Sequence, residues 1–320
     1  MRSLRLPIAN HAKAWVLVDE GNPSLETQCL GLVEAMDFPA HLHRVSLPWL
    51  WRNLPLWAGP NIMFRVQSSP KPLMSPWPSF VICAGKVGLK IGNYLRKRHH
   101  AYTVAFEPAS ASFHKIIVEG HTSSEKRNKI MTFGPLHRIQ PGVILQARQA
   151  FYRKIDHLPK PRVGVFLEGS EPLEPLIETL ISLYKKNPFS LMIHGKALSE
   201  ESLKRLAIAF KKIPHLLWYG QEEDPYLGFL AHSDAIVVSP TSSLMVAEAG
   251  SVGKPLFIYP SFGLNAYVQT LMQKGYAPLL SKESHLFSGP VLSPLQETQR
   301  VAQIIKDAYA EALANSHTLR

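Results

Sequence analysis

The chain has 320 residues, 46% of them apolar and 18% charged, which is enough for two domains of roughly 150 residues and too apolar for a disordered or fibrous protein. No uninterrupted apolar run reaches the roughly 18–20 residues that span a bilayer, the opening MRSLRLPIANHAKAW lacks the apolar core of a signal peptide, and Cys29 and Cys83 have no partners at metal-ligand spacing, so free buried thiols in a reducing, cytoplasmic compartment are expected. The net charge of +11 lies almost wholly in residues 1–150, with 18 Lys and Arg against 8 Asp and Glu, while residues 151–320 hold 17 against 16; a basic half suits phosphate groups or an anionic membrane surface as partners, or simply a solvated face.

The first element is the apolar run Ala14–Val18, followed by DEGNPS and then LETQCLGLVEAM. In that last stretch Leu25, Cys29, Leu32, Val33 and Met36 recur at helical spacing. Asn22 can cap this helix, and Pro23 stands where a first helical residue belongs. The stretch Leu47–Phe64 holds three Trp among prolines; the prolines forbid a regular amphipathic helix, leaving either a packed connector or a segment that leans on anionic lipid. SFVICAG, KVGLKIGNYLRKRHH and YTVAFEP then read as strand, helix and strand, and HKIIVEG and KIMTFG continue the alternation. The basic runs RKRHH and KRNK lack interleaved aromatics, so no nucleic-acid partner is expected.

QPGVILQARQAFYRKIDHLPKP contains one helix and ends in Pro-Lys-Pro punctuation. A boundary there divides the chain into residues 1–150 and 151–320. The second half repeats the same order: strand at RVGVFLEGS, helix at EPLIETLISLYKK, strand at SLMIHG, helix at SEESLKRLAIAFKK, strand at HLLWYG and helix around DPYLGFLAHS. A long amphipathic helix, LQETQRVAQIIKDAYAEAL, closes the chain and can pack back on the first domain. Repeated βα units predict parallel sheets covered on both faces. The expected fold is therefore α/β, two doubly wound Rossmann-like domains facing across a cleft, with the ligand at the carboxyl ends of the strands.

Residues 239–255, SPTSSLMVAEAGSVGKP, lie between the apolar runs AIVV and LFIY. If Thr241, Ser242 and Ser243 cap a helix, their hydroxyls and the first-turn N–H groups of residues such as Leu244 form a cradle for a diphosphate. Glu248 follows Thr241 by seven residues, two turns or about 10 Å along the helix, a span that suits a carboxylate accepting from ribose hydroxyls. Gly21 with Asn22, and Gly85 with Lys86, follow first-domain strands at the corresponding edge, where Lys86 could neutralise a departing diphosphate. His137 is a candidate general base for an acceptor hydroxyl, and Asp19, at the end of the first strand, is its rival. No Asp-x-Asp stretch or paired histidines suggest a metal, and none is expected.

The DPYLGFLAHSDAIVVSPTSSLMVAEAGSVGKP segment resembles the donor-gripping helix of B-type glycosyltransferases. Together with Gly21, Gln28 and GLVEAM, with FVICAGK, with GPLHRIQP and with the C-terminal helix, the chain more closely resembles a family of bacterial and plant proteins named for mitochondrial fission, the "elongated mitochondria" family, which is grouped with glycosyltransferases. The resemblance covers most of the chain and implies the B-type fold. It implies a nucleoside-diphosphate sugar as donor substrate with no other cofactor, and a lipid-linked or polysaccharide acceptor. It also implies a cytoplasmic protein, or one peripheral on the inner face of the cytoplasmic membrane. The plant members imply a second class, a non-catalytic scaffold, and shared architecture a third, a nucleotide-sugar epimerase. By the same resemblance Gly169 and Ser170, in the loop after the first strand of the second domain, approach the donor phosphates. Three positions depart from the family: Thr241 where an acidic residue is expected, Asp224 where Asn is expected, and HGKALS in place of an arginine-bearing stretch, where Lys196 could substitute.

Overall fold

The computed structural model describes residues 14–48, 66–110, 112–120, 128–168, 172–195, 198–220, 223–259, 264–288 and 296–318. Chain order begins β1 (Ala14–Asp19), α1 (Pro23–Ala35), β2 (Ala40–Ser46), β3 (Gln67–Ser69), β4 (Phe80–Ala84), α2 (Gly85–His99), β5 (Tyr102–Phe106), β6 (Lys115–Glu119) and β7 (Lys129–Thr132). It continues with α3 (Pro141–Ile155), β8 (Arg162–Phe166), α4 (Leu173–Lys186), β9 (Ser190–His194), α5 (Glu200–Ala209) and β10 (His215–Trp218). Last come α6 (Tyr226–His232), β11 (Ala235–Val238), α7 (Ser243–Ser251), β12 (Leu256–Ile258), α8 (Ala266–Gln273) and α9 (Glu297–Thr318).

Two sheets result. The first runs β3-β2-β1-β4-β5-β6-β7 and the second β10-β9-β8-β11-β12. Every pairing is parallel except that of β3 with β2. Strands such as AWVLVD and FVICA are buried along almost their whole length, as parallel strands covered on both faces must be. Strand order reverses between β1 and β4 in the first sheet and between β8 and β11 in the second, which is where doubly wound folds bind ligands. These are two Rossmann-like units, as the sequence predicts.

The units divide between Arg138 and Ile139 and again between Gln296 and Glu297, so α3 belongs to the second unit and α9 to the first. The boundary thus falls twelve residues before the expected position at 150/151. The reason is tertiary: Arg148 Nε donates to Ala231 O at 3.2 Å, His232 Nε2 lies 2.9 Å from Arg148 O, and the Phe151 ring packs on Gly228, all joining α3 to α6. The buried Arg162 guanidinium then reaches back to Leu158 O.

One face of the first sheet packs on α1 and α9, with Leu32, Val33, Val301 and Ile305 in its core; the other packs on α2, with Val87, Ile91 and Leu95. Cys29 and Cys83 are free and buried on these faces, and burial pushes both thiols up. Glu297, the first residue of α9, accepts from Phe133 N–H at 2.9 Å and from Arg300 at 2.7 and 3.1 Å. Burial opposes ionisation of Glu297, but the bonds from Arg300 and Phe133 outweigh it and hold its carboxyl below the usual range. A depressed carboxyl contributes stability above its unfolded value, about 4.3, that is lost as pH falls through the lower folded value. Glu297→Gln should therefore cost about 1.5 kcal/mol at neutral pH. In chemical denaturation the gap from the parent should close below about pH 4.

Asn22 caps α1, accepting from Leu25 N–H at 3.1 Å, as expected. The start of α2 is held differently. Its own cap position, Ala84, has no side-chain acceptor; instead Asp19 Oδ1, at the end of neighbouring β1, accepts from Val87 N–H at 2.9 Å and Gly88 N–H at 2.8 Å. Gly85 reaches this turn at φ +79, and a side chain there would run into the Asp19 carboxylate. Asp19→Ala should destabilise the first unit by about 1–2 kcal/mol through loss of this cap, measured as a lowered denaturation midpoint.

Candidate functional site

The second sheet's reversal point brings together the ends of β8 and β11. After β11 the chain turns through Ser239, Pro240 and Thr241. Ser239 N–H donates to Phe166 O at 2.9 Å, its hydroxyl donates to Thr241 Oγ1 at 3.0 Å, and Thr241 N–H donates back to Ser239 Oγ at 3.2 Å. Asn265, which caps α8 by accepting from Val268 N–H, also holds Pro240 O through its amide at 3.0 Å. The turn is thus fixed from both sides before α7 begins.

Ser242 is the N-cap of α7, its hydroxyl accepting from Met245 N–H at 3.3 Å. The first-turn N–H groups of a helix have no acceptor within it, so those of Ser243 and Leu244 give α7 a local positive end. Thr241 is exposed, and Ser242 through Met245 are partly exposed. Two turns on, Glu248 Oε2 accepts the Tyr226 hydroxyl at 2.7 Å. The Tyr226 ring makes edge contacts with Phe166 and His194, each at 5.3 Å between centroids. Burial first, and then the Glu248 carboxylate, hold the Tyr226 hydroxyl well above its ordinary pKa, so it stays a donor to Glu248 at all physiological pH.

A second acid supports this arrangement. Asp224 Oδ1 accepts from Tyr226 N–H at 3.0 Å, fixing the start of α6, and lies 2.9 Å from His194 Nε2 at the end of β9. The buried His194 ring stacks on Trp218 at 4.7 Å and 23°. Asp224 stands where the family resemblance expects Asn; either residue can cap α6, but only the carboxylate adds a charged partner for His194. The edge is polarised along α7: hydroxyls and helix N–H groups lie at its start, and the Glu248 carboxylate two turns on. Anions suit the first end and hydroxyl donors the second.

Of the residues expected from sequence, Thr241, Ser242, Ser243, Leu244 and Glu248 come together on α7 and the turn before it. Gly169, Ser170 and Lys196 lie outside the described residues, as do most of the Trp-bearing stretch and part of the second basic run. In the first unit Gly21 takes φ +82 beside the Asn22 cap, and Lys86 is exposed on the first turn of α2. The two rival bases do not meet. Asp19 is committed to capping α2, on one face of the first sheet. His137 is 1% exposed on the other face; its N–H donates to Thr298 Oγ1 at 2.9 Å, and that hydroxyl donates back to His137 O at 3.1 Å. A base must touch the hydroxyl it deprotonates, so this burial makes His137 a packing residue. Sequence reasoning gave no role to Tyr226 or His194, although the first lies in the DPY segment and the second opens the HGKALS stretch. Among the described residues no group of three or more His, Cys, Asp or Glu could hold a metal ion, and no helix is long and apolar enough to cross a membrane.

The family described as Mitochondrial fission ELM1 matches residues 23–309. The mitochondrial fission protein ELM1 of Arabidopsis thaliana is 26% identical over 197 residues, 55% of this chain and 44% of the plant protein, so the match spans less than half of that relative's length. Among solved structures, MurG of Acinetobacter baumannii superposes with a TM-score of 0.52 at 13% identity, covering 92% of this chain and 100% of that one. A UDP-GlcNAc 2-epimerase from Neisseria meningitidis, solved with UDP-GlcNAc, gives 0.54 at 14% identity, covering 95% and 94%. At such identities the likeness is one of fold, the B-type glycosyltransferase architecture.

Proposed function

The chain belongs to the mitochondrial fission ELM1 family, and from that premise we propose that it transfers a sugar from a nucleoside-diphosphate donor, held by the second unit at α7, to a hydroxyl of a lipid-linked or cell-envelope acceptor. The observation that carries this reading is the ordering of groups along α7. A hydroxyl-rich helix start sits at the strand-order reversal, and the Glu248 carboxylate, held by Tyr226, lies about 10 Å farther along. The diphosphate rests on the N–H groups of Ser243 and Leu244 beside the hydroxyls of Thr241 and Ser242; the ribose hydroxyls donate to Glu248. As the glycosidic bond breaks, charge develops on the diphosphate, where oriented N–H dipoles stabilise it most. In this reading a helix end meets the diphosphate, with no metal invoked. The basic first half, with its excess of Lys and Arg over Asp and Glu, favours an acceptor that carries phosphate or lies at an anionic membrane surface, and a protein that works in the cytoplasm on the inner face of that membrane.

Calorimetric titration with uridine, guanosine and cytidine diphosphates tests the donor half. Saturable binding of at least one is expected; binding of none contradicts the reading and favours a non-catalytic scaffold. Incubation with the matching nucleotide sugar alone separates transfer from epimerisation, since an epimerase changes the sugar without any acceptor.

A further inference from the structure

In the first unit, away from the β1/β4 reversal, a cavity of about 410 Å³ opens at the carboxyl ends of β5 to β7 beside the first turns of α1. Its size lies near the lower end of small-molecule sites, roughly 300–1,000 Å³. Leu25, Phe106 and Ile117 supply apolar wall, and Gln28, Glu119 and Thr132 supply polar groups.

The hydrogen-bond inventory narrows what fits. Gln28 is only 9% exposed. Its Oε1 accepts from Leu136 N–H at 3.3 Å, which leaves the amide NH₂ as a donor, and among the described residues that NH₂ has no hydrogen-bond partner. Thr132 already donates to Val118 O at 3.4 Å, so its hydroxyl oxygen is left to accept. The Glu119 carboxylate pairs with no cation among the described residues, and partial burial by the wall holds its pKa above the ordinary value. Glu107, at the rim, pairs with Lys129 at 3.1 Å.

Among the described residues, the cavity therefore presents several acceptors and one side-chain amide donor. A phosphate is excluded by the carboxylates. An ammonium ion pairs with Glu119 but makes no use of the Gln28 NH₂, which it leaves to water. A neutral ring bearing hydroxyls satisfies both, because each hydroxyl donates and accepts, while its C–H faces suit the apolar wall. We infer that this cavity is a binding site for a neutral pyranose, with Glu119 accepting from its hydroxyls and Gln28 donating to one. The site lies wholly in the first unit and stands independently of the donor reading.

Saturation-transfer NMR on the full chain, without nucleotide, tests it with methyl glucoside, methyl mannoside and N-acetylglucosamine at up to about 50 mM, a range that reaches weak, millimolar affinities; ethanolamine and inorganic phosphate serve as the charged comparisons. At least one sugar should give a signal that falls five-fold or more in Glu119→Ala, an exposed position whose change leaves the fold intact. Gln28→Glu keeps the acceptor for Leu136 and removes the donor, so it should abolish the sugar signal and strengthen that of ethanolamine. No sugar signal at all, a sugar signal unaffected by Glu119→Ala, or preferential binding of ethanolamine by the parent chain overturns the proposal. Because these probes carry no nucleotide, such a failure leaves diphosphate binding at α7 to be judged by its own titration.

Discussion

Glu248→Ala should weaken nucleoside-diphosphate binding by about 10- to 150-fold, the loss expected when hydrogen bonds to a charged group worth about 1.5–3 kcal/mol are removed. The carboxylate is partly exposed on α7 and accepts the Tyr226 hydroxyl, so truncation keeps the helix but leaves that buried donor without Glu248, and the denaturation midpoint should fall by the equivalent of about 1–3 kcal/mol. The companion variant Tyr226→Phe keeps the ring between Phe166 and His194 and removes only the hydroxyl that aims Glu248. Its loss should be smaller, about 3- to 10-fold, a lost net hydrogen bond of about 1 kcal/mol. The two effects should not add, because both act on one carboxylate. Calorimetry with a ribonucleotide and its 2′,3′-dideoxy counterpart separates the roles: both variants should lose the preference for ribose while retaining the contribution of the diphosphate. Equal losses for both ligands would place Glu248 away from the sugar.

Gly31→Ala should be the most damaging small change in the first unit. A methyl group at Gly31 overlaps the carbonyl oxygen of His137 and stands 2.6 Å from its carbonyl carbon. The obstacle is backbone, and Thr298 bonds that backbone at both the N–H and the carbonyl. Neither side can yield without separating α1 from the segment that joins it to α9. Overpacking against fixed backbone costs about 3 kcal/mol, which in a unit of this size lowers the melting temperature by about 6–12 °C. Thr298→Val removes the clamp without adding volume where α1 meets it, and it should partly relieve the Gly31→Ala cost in a double-mutant cycle. Thermal scans of the four proteins check both statements. A Gly31→Ala midpoint within 2 °C of the parent would mean that His137 moves freely.

The pattern of strands and helices was legible because it is local. AWVLV, FVICAG and AIVV are runs too apolar for anything but buried strands, and the spacing of Leu25, Cys29, Leu32 and Met36 marks a helix. The N-caps Asn22 and Ser242 act on residues three positions on, so cap chemistry placed both helix starts correctly. Strand β2, AHLHRVS, escaped notice because its polar residues mask it, and β3 is only three residues of edge strand. Long-range pairing was out of reach. Asp19 looked like a candidate base because its partners, Val87 and Gly88, lie 68 and 69 residues away; the Tyr226 hydroxyl that aims Glu248 comes from 22 residues upstream. His137 looked like a candidate base because its partner Thr298, on the returning α9, lies 161 residues later. The domain boundary erred for the same reason: α3 looks alike whichever unit it joins, and Arg148 and Phe151 reveal its partner only once α6 is in place.

The most direct test of the account is an amide chemical-shift map of isotopically labelled protein titrated with the diphosphate that binds best. The account predicts that the largest changes fall on the backbone N–H groups of Ser243, Leu244 and Met245, with a second set near Glu248 and Tyr226. Changes confined to the first unit, or a bound nucleotide that leaves the first turn of α7 unmoved, would contradict it.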